Sequence, residues 1–303
     1  FYAAQVLEPL GADISGSCYL EPDGMFPNHA PNPENKQAME SVCKATVDAG
    51  AELGIIFDTD VDRAGCVDKH GKEINRNRLV ALASIIALEG NEGGTIVTDS
   101  VTSTGLTKFI NENLKGVHYR YKRGYRNVIN EQLRLQSDGV NCPLAIETSG
   151  HAAFRENYYL DDGAYLITKI IIKLAQLGKE GKELDSLISD LKDPLEEKEL
   201  RFRIKCDDFR TYGNGVIDKL LEFAEKKTDW RIADDNREGV RIYLDSENAQ
   251  GWLLLRLSVH DPIMPLNIES DVHGGVKYIA SQLKEFLTSC DMLDISSLEM
   301  FLN

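Results

Sequence analysis

Nowhere in these 303 residues does an apolar run approach the roughly 20 residues that a membrane-spanning helix requires. The nearest candidate, 167–177, is interrupted by Lys169 and Lys173. Cysteine is sparse and scattered, and Cys18, Cys43, Cys66, Cys142, Cys206 and Cys290 form no Cys-x-x-Cys pair. That spacing excludes a zinc-finger pattern and a dense disulfide framework, and it fits a reducing compartment. Cations are outnumbered, with 34 Lys and Arg against 49 Asp and Glu and a net charge of −15. No broad basic face is then available, which argues against nucleic acid and anionic membranes as partners. A small anionic ligand stays open, because it needs only a local cluster of cations. An initiator Met is also missing. The chain opens Phe1-Tyr2-Ala3-Ala4, as a piece of something longer would. The cytoplasm is the expected location, and an organelle stroma stays open because the native start is out of sight.

What is present is an ordinary globular composition, 42% hydrophobic and 27% charged, on a chain long enough for two or three domains. Residues 1–92 read as a helix over 2–10, a Pro/Asn-rich loop, a helix over 33–49, a strand ending at Phe57 and a helix over 77–88. The turn cluster Asn91-Glu92-Gly93-Gly94 makes a plausible boundary. Residues 93–196 read as a second α/β stretch, with strands over 95–99, 117–121 and 144–147 and helices over 103–113 and 163–177. In the last of these, Leu166, Ile167, Ile170, Ile171, Leu174 and Leu177 recur at helical spacing. Asp193-Pro194 and the charged run 196–199 look like a linker. Beyond them Leu200, Phe202, Ile204 and Cys206 alternate with Arg201, Arg203 and Lys205, the mark of a half-buried strand. Residues 197–303 then read as a small α+β unit closed by a helix over 276–288. The expected fold is therefore α/β, with two mixed α/β/α sandwich domains, the first incomplete, and a smaller α+β C-terminal domain.

One segment carries more chemistry than the rest: Ile56-Phe57-Asp58-Thr59-Asp60-Val61-Asp62-Arg63-Ala64-Gly65. Three carboxylates on alternate residues repel one another unless a cation sits among them, and hard oxygen ligands suit Mg²⁺ or Ca²⁺. The apolar run before them presents the acids at the carboxyl end of a strand, where open α/β sheets hold ligands. Arg63 beside them points to an anionic partner, above all a phosphate. An EF-hand is disfavoured, since its sixth and twelfth positions would be Arg63 and Lys69 rather than Gly and Glu. A solvated turn is the bland alternative. A phosphatase with Asp58 as nucleophile is the competing chemistry, and it gives Asp62 and Arg63 no role.

Three further loops accompany it. Glu147-Thr148-Ser149-Gly150-His151 follows the apolar run 142–146 and offers a carboxylate, a hydroxyl and an imidazole suited to reading sugar hydroxyls. A turn or helix cap is the alternative there, and capping is the preferred reading of Asp161-Asp162-Gly163. Tyr121-Lys122-Arg123-Gly124-Tyr125-Arg126 gathers three cations around one glycine, an anion cradle or else a solvated loop. Arg256 and Ser258 end the apolar strand that begins at Trp252, where Arg can grip a phosphate with two hydrogen bonds.

These loops, in this order, resemble those of the α-D-phosphohexomutases, the phosphoglucomutases, phosphomannomutases and phosphoglucosamine mutases. The family's Asp-Gly-Asp-(Ala/Gly)-Asp-Arg metal loop is similar to Asp58 to Arg63, and its Gly-Glu-x-Ser-Gly-(His/Gly) sugar loop to Ile146 to His151. Arg123 to Val128 is similar to its Val-Gly-Asp-(Arg/Lys)-Tyr-Val segment, and Pro31-Asn32-Pro33-Glu34 to the Asn-Pro-Glu ahead of the metal loop. The resemblance implies Mg²⁺ on Asp58, Asp60 and Asp62, catalytic support from Arg63, Lys122 and Arg126, and substrate contacts from Glu147, Ser149, His151, Arg256 and Ser258. It implies a phosphorylated hexose as substrate, a hexose bisphosphate as activator, and a monomer or weak dimer. Two departures stand out. The family's Arg-x-Ser-(Gly/Asn)-Thr-Glu-Pro phosphate loop keeps only Arg256, Ser258 and Pro262 here, and stiff Val259 replaces a residue that tolerates positive φ. No Thr-Ala-Ser-His-Asn-Pro-like segment with the catalytic serine occurs, so the chain is expected to begin inside the second of four domains, without the phosphoserine-bearing first one. A non-catalytic phosphosugar-binding relative is the alternative.

Overall fold

The computed structural model describes all residues, Phe1–Asn303. The fold is mixed α/β, as the patterning predicts, and it divides into two compact units, Phe1–Lys192 and Asp193–Asn303. No helix is long and apolar enough to cross a membrane. All six cysteines are free.

The first unit opens with a wide π-type turn at Ala3–Leu7 and a 3₁₀ turn at Glu8–Leu10, where the sequence suggested one helix. Helix α1 (Lys36–Ala49) starts three residues later than expected because the Asn35 side chain, not Pro33, caps it by accepting from the Ala38 amide at 3.0 Å. Strand β1 (Leu53–Phe57) pairs antiparallel with β2 (Ala64–Asp68), and β2 with β3 (Glu73–Ile74). The three acids therefore sit at the tip of a hairpin, not between a strand and a helix. Helix α2 (Asn77–Leu88) leads to β4 (Thr95–Thr98), α3 (Thr104–Lys108), β5 (Val117–Arg120), α4 (Tyr125–Ser137), β6 (Leu144–Ile146), β7 (Ala152–Phe154) and α5 (Gly163–Lys179). The second sheet runs β5-β4-β6-β7, with β4 parallel to both β5 and β6 and β7 antiparallel to β6.

One core runs through this unit, from Leu79 and Leu82 of α2 through Ile96, Leu106, Leu144 and Ile146 to Leu166 and Ile170 of α5. It passes on both sides of the turn at residues 91–94. Helix α5 buries Leu166, Ile167, Ile170 and Leu177 as the spacing predicts, and it continues through Gly178 to Lys179.

In the second unit the charged run 196–199, expected as a linker, is the start of strand β8 (Glu196–Ile204). The Glu196 carboxylate accepts from the Gly274 and Val276 amides, at 2.7 and 3.2 Å, which fixes the strand's beginning against a helix start. Leu200, Phe202 and Ile204 are buried while Arg201 and Arg203 are exposed, the predicted alternation. Helix α6 (Phe209–Glu225) begins at Asp208, whose side chain caps it by accepting from the Thr211 amide at 3.2 Å, although the sequence pattern suggests a start at Gly215. Strands β9 (Trp230–Ile232), β10 (Val240–Leu244), β11 (Gly251–Leu255) and β12 (Ile263–Ser270) follow. The expected closing helix is broken at Leu283 into α7 (Gly275–Gln282) and α8 (Lys284–Thr288), before β13 (Leu293–Asp294) and α9 (Ser296–Leu302). The sheet is antiparallel throughout, in the order β13-β8-β12-β11-β10-β9.

Candidate functional site

At the hairpin tip, Asp58 is buried and accepts from Arg63 twice, from Nε at 2.7 Å and from the backbone amide at 3.2 Å. Burial works to raise the Asp58 carboxyl, but the Arg63 hydrogen bonds outweigh it and hold it below the ordinary range. Asp60 is exposed and Asp62 half-buried. Val61 between them takes φ +64°, which turns the chain tightly enough to bring the acids together. Carboxylate oxygens of Asp58, Asp60 and Asp62 lie within 4.8 Å of one another. Burial pushes Asp62 up to about 6, with the His151 ring drawing it down and the Asp58 charge adding to the rise. Such crowding of hard oxygen donors fits a divalent cation of the Mg²⁺ type.

The Glu147–His151 loop leaves the end of β6. In the sheet order the chain goes from β4 outward to β5 and then back across to β6, so β4 and β6 flank a topological switch point, where such sheets hold ligands. Glu147 is buried there, and its Oε1 accepts from the Gly124 amide at 2.5 Å. Burial, and then the charge of Asp99, push Glu147 up to about 7. Ser149 Oγ donates to Glu147 Oε2 at 3.3 Å, and Thr148 Oγ1 donates to Asp99 Oδ2 at 2.8 Å.

The acid loop and this loop are joined directly. Arg63 and His151 form an isolated antiparallel bridge, and the Ala64 amide donates to the Gly150 carbonyl at 3.3 Å. His151 Nδ1 is 2.8 Å from Asp161 Oδ2 and 3.7 Å from Asp62 Oδ2. Burial acts to lower His151, but the Asp161 hydrogen bond and the charges of Asp161 and Asp62 raise it above the ordinary imidazole value. Close approach depends on Gly150, at φ +100°, where a Cβ would lie 2.3 Å from the Ala64 carbonyl oxygen. Gly150→Ala should therefore cost about 1–3 kcal/mol, read as a lower urea midpoint, through combined backbone strain and displacement of β2. An unchanged midpoint would mean the two loops are not held together this way.

Six residues outside the expected metal, catalytic and substrate set complete the cluster, and of these only Asp99 lies outside the segments the sequence singled out. Asn32 Oδ1 accepts from Arg63 Nη1 at 3.4 Å, and Glu34 lies 3.5 Å from Arg123, which is in turn 4.0 Å from Asp99. Asp161 orients His151, while its neighbour Asp162 caps α5, accepting from the Tyr165 amide at 2.8 Å. The Tyr125 ring stacks on His151 at 4.9 Å. Lys122 and Arg126 are exposed, with Arg126 lying over the Tyr125 ring, and it is Arg123 between them that joins the acids. In the second unit Arg256 is buried just past β11, and Ser258 Oγ accepts from the Asp261 amide at 3.3 Å. Val259 is not among the residues at positive φ, so its loop takes a shape suited to a branched side chain.

Two family models match this chain: the α/β/α domain II of phosphoglucomutase/phosphomannomutase over residues 1–71, and domain III over residues 75–194. The chain belongs to that family, the α-D-phosphohexomutases. Its relatives include a phosphomannomutase/phosphoglucomutase of Pseudomonas syringae pv. tomato, 28% identical over 96% of this chain and 59% of the relative. A phosphoglucomutase/phosphomannomutase of Thermococcus kodakarensis is 31% identical over 92% of this chain and 58% of the relative. A crystal structure of a family protein from Burkholderia thailandensis superposes with a TM-score of 0.72 at 26% identity, covering 89% of this chain and 53% of that one. The chain thus spans little more than half the length of the relatives it matches.

Proposed function

We propose that the chain carries the metal-binding, sugar-binding and distal phosphate-binding parts of an intramolecular phosphotransferase. It interconverts hexose 1-phosphate and hexose 6-phosphate, with glucose or mannose as the sugar, through a phosphoserine enzyme and a bisphosphate intermediate that also serves as activator. The observation that carries this reading is the direct joining of the acid loop to the Glu147–His151 loop. The proposed cation-and-phosphate site and the proposed reader of sugar hydroxyls are thereby neighbours within one compact unit.

Asp58, Asp60 and Asp62 would hold the Mg²⁺ ion. Bound there, it supplies positive charge against the phosphoryl oxygens. Arg63, fixed by Asp58, adds a second cation where charge shifts in the transition state. Glu147 and Ser149 hold sugar hydroxyls. A carboxyl pushed to about 7 can donate or accept at neutral pH, which suits a sugar that must bind in two orientations. His151 contacts the sugar or its phosphate, and Lys122 and Arg126 support substrate and proton movement. Arg256 and Ser258 grip the phosphate that is not being transferred.

These 303 residues, given glucose 1-phosphate, glucose 1,6-bisphosphate and Mg²⁺, should bind the metal weakly and form no glucose 6-phosphate above background. The phosphoserine segment is not in this sequence. Turnover by the chain itself would refute that assignment of the phosphoryl donor. The altered Arg256–Pro262 loop favours a second reading, a phosphosugar binder without catalysis. A Ser-His-Asn-Pro-like segment upstream in the intact gene supports the enzyme, and its absence supports the binder.

A further inference from the structure

We propose that Asp62, His151 and Asp161 form a second divalent-cation site, selective for borderline metals such as Zn²⁺ or Co²⁺, which shares Asp62 with the three-acid loop. It is independent of which sugar phosphate the protein handles. One nitrogen and two carboxylate oxygens lie within 4.8 Å of one another. In a tetrahedral zinc site, bonds of about 2.0–2.2 Å separate the ligand atoms by about 3.4 Å. The separations of His151 Nδ1 from Asp161 Oδ2 and Asp62 Oδ2, 2.8 and 3.7 Å, bracket that value. A small ligand adjustment therefore suffices.

A second observation points to a ligand. Asp161 Oδ1 is shut off from solvent and has no hydrogen-bond partner, although a buried carboxylate oxygen ordinarily finds one. Two-oxygen coordination by Asp161 would satisfy it. The donors are also held in place before any ion arrives. Stacking of Tyr125, at 4.9 Å and 22°, fixes the plane of the His151 ring. The backbone bridges Arg63↔His151 and Ala153↔Asp161 fix where two of the ligands start. Rigid placement of this kind is what a metal site needs.

The donor chemistry separates the two positions. Asp58, Asp60 and Asp62 offer only oxygen and favour a hard ion, whereas an imidazole nitrogen among the ligands favours the later first-row metals. Because Asp62 belongs to both sets, occupancy of one position weakens the other, and by linkage the effect is mutual. Without a metal, the same residues are an ordinary hydrogen-bonded Asp–His pair that orients the ring.

Co²⁺ titration of the full 303-residue chain, followed by visible ligand-field absorption, tests this. Wild type should develop a band that saturates with Co²⁺ and is restored to baseline by Zn²⁺. His151→Ala and Asp161→Asn should each weaken Co²⁺ binding by about tenfold or more, while Asp60→Asn should weaken Mg²⁺ binding and leave the Co²⁺ band in place. If Asp60→Asn abolishes the band while His151→Ala and Asp161→Asn retain it, the ion sits in the three-acid loop and the proposal fails. Imidazole ¹H–¹⁵N spectra of wild type need no variant to fold. Substoichiometric Co²⁺ must broaden or shift the His151 ring signals ahead of the other five histidines, and uniform or absent effects overturn the assignment.

Discussion

Asp58→Ala should destabilise the protein by about 3 kcal/mol, whereas Asp60→Ala should change stability by no more than about 0.5 kcal/mol. Both belong to the same acid loop, and both substitutions should weaken Mg²⁺ binding. They differ in what they leave behind. The Asp58 side chain is 1% exposed and its partner Arg63 25% exposed, so removing the carboxylate leaves a largely desolvated guanidinium with Asp62, 4.0 Å from Nε, as its remaining counter-charge. Asp60 is exposed, and no charged group depends on it for compensation. Urea unfolding of the two variants in excess chelator separates the structural effect from metal linkage, and calorimetric Mg²⁺ titration then reads the common loss. Equal destabilisation by both would show that the Asp58–Arg63 pair does not organise the hairpin tip.

The second large effect depends on pH. Glu147 is raised from 4.5 to about 7 in the folded protein, by burial first and Asp99 second. A folded state that holds a proton more tightly than the unfolded chain is favoured at low pH. The resulting stability is fully present below about 4.5 and is lost as pH rises through about 7. The gap is worth about 3 kcal/mol. Glu147→Gln removes the titration while keeping the shape, so the variant should lose less stability than wild type between pH 5 and pH 8. The difference between the two curves should approach that figure. Asp62, raised to about 6, tilts the wild-type curve in the same direction but is present in both proteins and cancels. Chelated samples followed by urea unfolding at unit pH steps provide the measurement, scored on the transition of the unit that contains Glu147. Parallel curves would remove Glu147 as the cause.

The acid loop was legible because its chemistry is local: six consecutive residues supply three carboxylates and the arginine that pairs with one of them. The alternation in β8 and the stripe on α5 were legible for the same reason, since one period repeats over several turns or residues. Helix α4 was missed because its buried face includes Glu131 and Gln132 beside Val128 and Leu135, so the apolar rhythm is broken by polar residues with partners of their own. Strand β2 was missed because all five of its residues are buried, which leaves no alternation to read. Asp99, Arg123 and Asp161 join the cluster through contacts with residues far away in sequence, and no spacing rule reports those. Only tertiary contacts distinguish Lys122, Arg123 and Arg126, and of the three it is Arg123 that reaches Glu34 and Asp99.

The bridge between Arg63 and His151 has a consequence for recognition. On the proposed function, it ties the spacing between a bound ion and the hydroxyl reader to backbone pairing between the two loops, and not to side-chain placement alone. A preference among hexoses would then be set by the side chains at the two ends of that span, with the loop-to-loop pairing left unchanged.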